Sequence, residues 1–140
     1  MKKSGLIKLV HLVIISYDNK ILLMKRMNTI AFAGYFALPG GKINKNESPK
    51  IAAQREAREE IGILTQLDNM NLILNPYYSQ NLDNKETYLN YCFKINKFKG
   101  IISNKEPHLS EKLDFFSFDN MPEPVVPFIK PYLKKLMHIL

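Results

Sequence analysis

A chain of 140 residues with 46% hydrophobic content is long enough to bury a sizeable core and reads as one compact globular domain over residues 1–140. Its formal net charge of +7 suits either a nucleic acid or free polyphosphates, but the lysines are scattered and no aromatic-basic module stands out, so DNA is not an expected partner and RNA is the weaker option. The one cysteine, Cys92, excludes an internal disulfide, points to a reducing compartment, and reads as a small strand hydrophobe rather than a nucleophile.

In chain order, the apolar stretch 6–15 comes first, interrupted by Lys8 and His11. It is too short to span a bilayer and lacks a small-residue cleavage site, so a cytoplasmic protein with no membrane partner is expected. Residues 6–16 and 20–25 read as a hairpin turned by Tyr17, Asp18 and Asn19, and residues 27–38 as mostly loop. A helix is predicted over residues 49–61, with Ser48 as N-cap, Pro49 as first helical residue and Gly62 as terminator. Residues 64–74 and 87–98 read as strands separated by a polar loop at 78–85. Residues 100–110 are loop, 112–117 a short strand, and 126–140 a Pro-bounded helix. Layers in this order suit an α/β class, as an α/β/α sandwich around a mixed β-sheet.

The predicted helix carries the chemistry. At 100° per residue, Glu59 and Glu60 lie within about 60° of Glu56, which makes one acidic stripe. Like charges at that spacing repel, and a divalent cation converts the repulsion into binding. The alternative is a solvated acidic face. Two details favour a ligand. Pro39, Gly40 and Gly41 precede the stripe and let the backbone approach an ion closely. Arg55 sits beside it, near enough to pair with Glu47 and orient the loop against the helix start.

The segment from Gly41 to Ile63 resembles the Nudix box. It has Gly41, five residues, Glu47, seven residues, Arg55-Glu56, an aliphatic position (Ala57), Glu59-Glu60, Gly62 and a final aliphatic (Ile63). The box covers 23 of 140 residues, and a looser resemblance runs from the first strand to Pro122. It implies the Nudix fold and hydrolysis of a nucleoside diphosphate linked to another group, releasing a nucleoside monophosphate or similar product. By the same resemblance, Glu56, Glu59 and Glu60 match the metal ligands, and the Gly40 carbonyl matches a further ligand in MutT-like members. Glu47 and Arg55, with Gly41 and Gly62, match the structural support of the site. An all-oxygen donor set favours Mg2+, with Mn2+ as the alternative, over zinc. Such a metal neutralises phosphate charge and activates water.

Outside the box the reading leaves choices open. Glu106 is the candidate base that takes a proton from the attacking water, because similar enzymes carry a glutamate in the corresponding loop; the alternative is a solvent-facing turn residue. His108 reads as a surface histidine, and His11 and His138 get no role. Arg26 matches a phosphate-contacting arginine, or else solvates a strand end. Of Tyr35, Phe36, Tyr77 and Tyr78, one ring is expected to stack a base, and Tyr35 is taken for that place. A nucleoside triphosphate is the first choice of substrate. Selectivity for oxidised guanine is in doubt, because no asparagine lies between Met121 and Pro127. An RNA 5′-end pyrophosphohydrolase and a non-catalytic nucleotide-sensing module are the other readings, the last disfavoured by a complete box. A monomer or a homodimer fits equally.

Overall fold

Every second residue of a strand faces the same side, and in the second half of β1 (Leu6–Val13), from Val10 onward, both sides are buried. In the computed structural model, which describes residues 5–29, 32–81 and 85–139, Val10 and Leu12 join one hydrophobic cluster while Val13 joins another. A strand buried on both faces belongs at the centre of a sheet. Accordingly, β1 runs parallel to β7 (Glu86–Ile95) from the pair Leu6–Thr87 to the pair Val13–Lys94. On its other edge it pairs antiparallel with β4 (Gly40–Lys42). The far edge of β7 is shared by β5 (Met70–Leu72) and β6 (Tyr77–Asn81), both antiparallel, which completes a five-stranded mixed sheet. A second, antiparallel sheet has the order β3 (Phe36–Ala37), β2 (Lys20–Arg26), β8 (Ser110–Ser117).

The helix α1 (Pro49–Ile61) has the predicted bounds. The Ser48 hydroxyl accepts the Ile51 amide at 3.3 Å, Pro49 starts the first turn, and Gly62 ends the helix at φ 74°, where its amide meets the Arg58 carbonyl. Ala52, Ala53, Ala57 and Ile61 turn into the cluster containing Val10 and Leu12, and their small size brings the helix close to the mixed sheet. The helix α2 (Lys130–Ile139) follows a 3₁₀ turn at Pro127–Ile129 and buries Tyr132, Leu133 and Leu136 in the other cluster. The result is a mixed α/β fold whose central sheet is flanked by helices, as expected. No described helix is long and apolar enough to cross a membrane.

Several strand readings need correction. The hairpin of residues 6–16 and 20–25 is confined to its turn: the antiparallel Ile15–Ile21 bridge and the Ser16–Lys20 and Leu22–Ile14 hydrogen bonds join the two segments before they diverge into different sheets. Ile21, Leu22 and Leu23 are all buried, so β2 has no solvent face to reveal its partner. Residues 64–74 hold a 3₁₀ turn at Leu67–Asn69 and only the short β5. The polar stretch 78–85 contains β6, whose backbone ladder to β7 leaves no apolar pattern to read; residues 82–84 lie outside the described residues. The stretch 27–38 contributes β3, and its positions 30 and 31 are likewise outside them. Strand 87–98 ends at Ile95, strand 112–117 begins at Ser110, and the last helix begins at Lys130, with residue 140 outside the described residues.

A polar thread crosses the interface between the mixed sheet and α2. The Asn90 amide nitrogen donates to the Tyr77 carbonyl (3.1 Å) and to Ser79 Oγ (2.9 Å). Asn90 Oδ1 is therefore the acceptor, and His11 Nε2 donates to it at 2.8 Å. The Tyr132 hydroxyl closes the group on the Asn90 carbonyl at 3.2 Å. Burial pushes the His11 imidazole down to about 4, against the Asn90 hydrogen bond and with help from the nearby Arg26 charge. Since the unfolded chain binds this proton near pH 6.5 and the fold does not, His11 removes stability as pH falls from about 6.5 towards 4. His11→Gln should flatten that part of the stability curve; urea titrations of both proteins at pH 5 and pH 7 read the difference.

Candidate active site

The side chain that organises the region is Arg55, on the exposed flank of α1. A guanidinium carries five N–H donors. Here Nε and Nη2 grip the two oxygens of Glu47 at 2.8 and 2.9 Å, and Nη2 also donates to the Lys42 carbonyl at 2.9 Å. Nη1 donates to Glu56 Oε1 at 2.9 Å and to Glu59 Oε2 at 3.0 Å. The bidentate pair, expected from spacing, ties the turn before the helix to the helix itself. The Glu47 hydrogen bond is the main cause that raises the Arg55 pKa, and Arg55 in return holds the Glu47 carboxyl below its ordinary range.

Glu60 and Glu56 are pushed the opposite way. Glu60 is 6% exposed and takes a hydrogen bond from the Gly40 amide at 3.0 Å. Burial first, then the charge of Glu56, raises its carboxyl to about 8. Glu56 is raised by burial, while Arg55 opposes the shift and the charges of Glu59 and Glu106 add to it. Four acidic groups on two chain segments therefore share a partly dry site, and the charges of the others raise Glu56 and Glu60. A Cβ on Gly41 would overlap the Glu56 carboxyl as it is held by Arg55, so a side chain there would push that carboxyl aside.

Glu106 reaches the group through a loop docked on the end of α1. The Ser103 and Lys105 amides donate to the Ile61 and Glu60 carbonyls, which satisfies the last turn of the helix. Asn104 braces the loop: its Oδ1 accepts the Glu106 amide at 3.2 Å and its Nδ2 donates to the Ser110 carbonyl at 2.6 Å. The backbone at Gly62 calls for glycine, and a side chain there would also displace the movable end of Lys105. The φ of Gly62 is left-handed, and a Cβ would stand 2.7 Å from Lys105 Cε and 3.0 Å from Ser103 Oγ.

Beside Glu60 opens a cleft of about 630 Å³, lined among others by His11, Arg26, Phe32, Gly40, Gly41 and Tyr88. Arg26 is partly desolvated, which lowers its pKa, and it lies within electrostatic reach of both Glu60 and Tyr88. A shallower hollow of about 500 Å³ along β8 touches none of Glu56, Glu59, Glu60 or Glu106. The structure thus puts Glu56 and Glu106 within electrostatic reach of Glu60, sets Glu59 on the exposed side under Arg55, and places Arg26 in the cleft. Tyr35 is not on the cleft wall. Its ring packs edge-on against Phe32 at 5.4 Å, and its carbonyl accepts the Arg26 amide. Phe36 is core, Tyr77 packs on Tyr132 at 3.9 Å, and Tyr78 is exposed. The cleft rings are instead Phe32 and Tyr88. Glu86, Tyr88 and Asn90 alternate along β7, and that period-two polar stripe on a central strand was the signal available for them.

Whether these residues fit a metal ion can be tested on their donors. Among the described residues, no three His, Cys, Asp or Glu side chains are already gathered to hold one. Arg55 takes up an oxygen each of Glu56 and Glu59. The donor set is all oxygen and carries excess negative charge, and it fits a hard divalent cation, the kind of cofactor Nudix proteins typically use. Arg55→Ala removes the common partner of Glu47, Glu56 and Glu59 and should cost about 1–3 kcal/mol of stability. Because Arg55 depresses the Glu47 pKa, the loss is complete above the ordinary carboxylate range and fades as pH falls below it. Thermal melts of both proteins at pH 3.5 and pH 7 measure it.

Comparison with known proteins agrees with this geometry. The family model for the NUDIX domain matches residues 8–136. The chain is 33% identical over 110 residues to an ADP-ribose pyrophosphatase of Methanocaldococcus jannaschii, covering 79% of this chain and 62% of that protein. It is 30% identical over 113 residues to an 8-oxo-dGTP diphosphatase of Buchnera aphidicola, covering 79% and 82%. A MutT NUDIX hydrolase from Burkholderia pseudomallei superposes with a TM-score of 0.84 at 28% identity, over 94% of this chain and 98% of that one. With its box complete and its domain matched nearly end to end, the chain belongs to the MutT-like Nudix hydrolase family.

Proposed function

We propose that this chain hydrolyses a pyrophosphate bond in a nucleoside diphosphate derivative, a nucleoside triphosphate first, to the monophosphate and pyrophosphate. The observation that carries this reading is the juxtaposition of an acidic group, with Glu60 buried at its heart, and an arginine-bearing cleft. Glu60 lies at one end of the cleft, Glu56 and Glu106 share its electrostatic field, and Arg26 lines the same space. Glu56, Glu59 and Glu60, with the Gly40 carbonyl, would hold Mg2+ or Mn2+. Such an ion, when bound, supplies charge neutralisation on the phosphates and a more acidic water.

The remaining work falls to the protein. Arg26 binds phosphate oxygens through its forked donors and stabilises charge on the leaving group. Glu106, held by Asn104, accepts the proton of the attacking water at its carboxylate. Arg55 neither binds substrate nor moves a proton; it keeps Glu56, Glu59 and the 42–47 turn in place. The names of the curated relatives support a nucleotide as substrate and disagree about which one.

The test is product analysis in Mg2+ on common and oxidised nucleoside triphosphates, ADP-ribose, a dinucleoside polyphosphate and a short 5′-triphosphate RNA. Wild type should turn over a triphosphate, and Glu59→Gln should lose activity by about 10²-fold or more at unchanged circular dichroism. Near-wild-type rates in that variant would sink the mechanism. Glu106→Gln should slow kcat by a similar factor, about 10²-fold. Asn104→Ala should reproduce part of that loss in the wild-type background and add nothing in the Glu106→Gln background, read from the double-mutant cycle.

A further inference from the structure

The strand β8 is the outer member of its sheet: it pairs with β2, and among the described residues no strand lies on its other edge. Which of its main-chain groups face outward follows from β2. The Leu22 amide donates to the Ile14 carbonyl, away from β8. Phe115 stands opposite Leu22, so its own N–H and C=O point away from β2 as well. By the same alternation Leu113 points outward, while Lys112 and Asp114 turn their main chain to β2. The Phe115 amide agrees with this, because it is met by Asp114 Oδ1 at 2.8 Å rather than by a strand. Beside this edge lies the hollow of about 500 Å³, lined by Leu22, Leu113, Phe115 and the 102–104 loop.

An open edge on an eight-residue strand is a template for another extended segment. The sequence of β8 says which. Lys112 and Asp114 flank Leu113, are both exposed, and share one face of the strand. Among the described residues neither is in an ion pair within the chain. A second β8 laid antiparallel, with Leu113 opposite Leu113, sets each Lys112 against the Asp114 of the other copy. The two Leu113 residues then exchange both main-chain hydrogen bonds, as their outward groups require. Sliding the pair by two residues either way puts lysine against lysine or aspartate against aspartate at the centre. Charge therefore selects one register, and selects it for a copy of the same strand.

We propose that the outer edge of β8 is a self-association surface, on which two copies of this chain pair antiparallel about Leu113 and join two three-stranded sheets into one of six strands. The joint lies next to the loop that carries Glu106, since Ser103 and Asn104 line the same hollow. Sedimentation equilibrium of the full chain over a range of concentrations tests it. Wild type should rise from 16.2 kDa toward twice that mass. Lys112→Asp and Asp114→Lys should each weaken association by about tenfold or more, because like charges then meet twice. Equimolar mixing of the two variants should restore it, since every facing pair is again of opposite sign. A wild type that stays at 16.2 kDa up to about 0.5 mM overturns the proposal, and the edge is then left to an extended segment of another protein. A dimer indifferent to both substitutions, or a mixture that does not recover, overturns it as well. Both substitutions alter exposed side chains, and circular dichroism checks that each variant is folded.

Discussion

Five N–H donors on one guanidinium hold the candidate site together. Arg55 gathers Glu47, the Lys42 carbonyl, Glu56 and Glu59, so the turn after β4 and the outer face of α1 cannot shift independently. A lysine at this position would bring charge without the planar fork, and each lost hydrogen bond would free a different segment. The positive charge also makes the acidic helix tolerable in the fold. Without it, Glu56 and Glu59 would repel with no counter-charge of comparable proximity among the described ion pairs. Under the proposed hydrolase reading, the same carboxylates serve two cations, one permanent and covalently part of the chain, the other an exchangeable metal ion.

Much of this was legible before any coordinates. Ser48, Pro49 and Gly62 set both ends of α1 because caps act locally, within a residue or two of the boundary they mark. The Glu47–Arg55 pair was legible because helical spacing and one preceding turn leave those side chains little choice. Strand partnership was not legible in the same way. Nothing in the pattern of β2 says that it leaves β1 after one bridge, since its burial on both faces is satisfied in either sheet. For β6, backbone pairing to β7 does the work that an apolar stripe does elsewhere, and Ser79 serves as a half-buried acceptor for Asn90 rather than as a loop residue. The substrate side suffered most. Aromatic residues near the box suggested a stacking ring at Tyr35, while the rings that face the cleft come from Phe32 and from β7, more than fifty positions away.

The two sheets and α1 therefore make different contributions. The mixed sheet supplies the floor of the cleft through β1 and β7, and β2 of the second sheet supplies Arg26 over it. The loop that carries Glu106 returns to β2 as well, through the Met27–Leu109 hydrogen bond and the Asn28 side chain on the His108 carbonyl. Acidic cluster, cleft and docked loop are thus joined by main-chain contacts at several points. Motion of any one of them disturbs at least one neighbour.

The parallel pairing of β1 with β7 also governs how the molecule comes into being. His11 and Asn90, hydrogen-bonded partners at its middle, stand 79 positions apart. Closing a loop of that length costs about 4 kcal/mol of chain entropy before any contact is gained. During synthesis β1 emerges first, both faces apolar, and has no permanent neighbour in the sheet until β4 is made and none on its other edge until the chain has passed Lys94. Folding is thereby tied to a long-range event, which slows it relative to a helical bundle of equal size and lengthens the exposure of an aggregation-prone strand. Lys8, at the exposed start of that strand, places a charge where an unpartnered edge would otherwise invite a second chain.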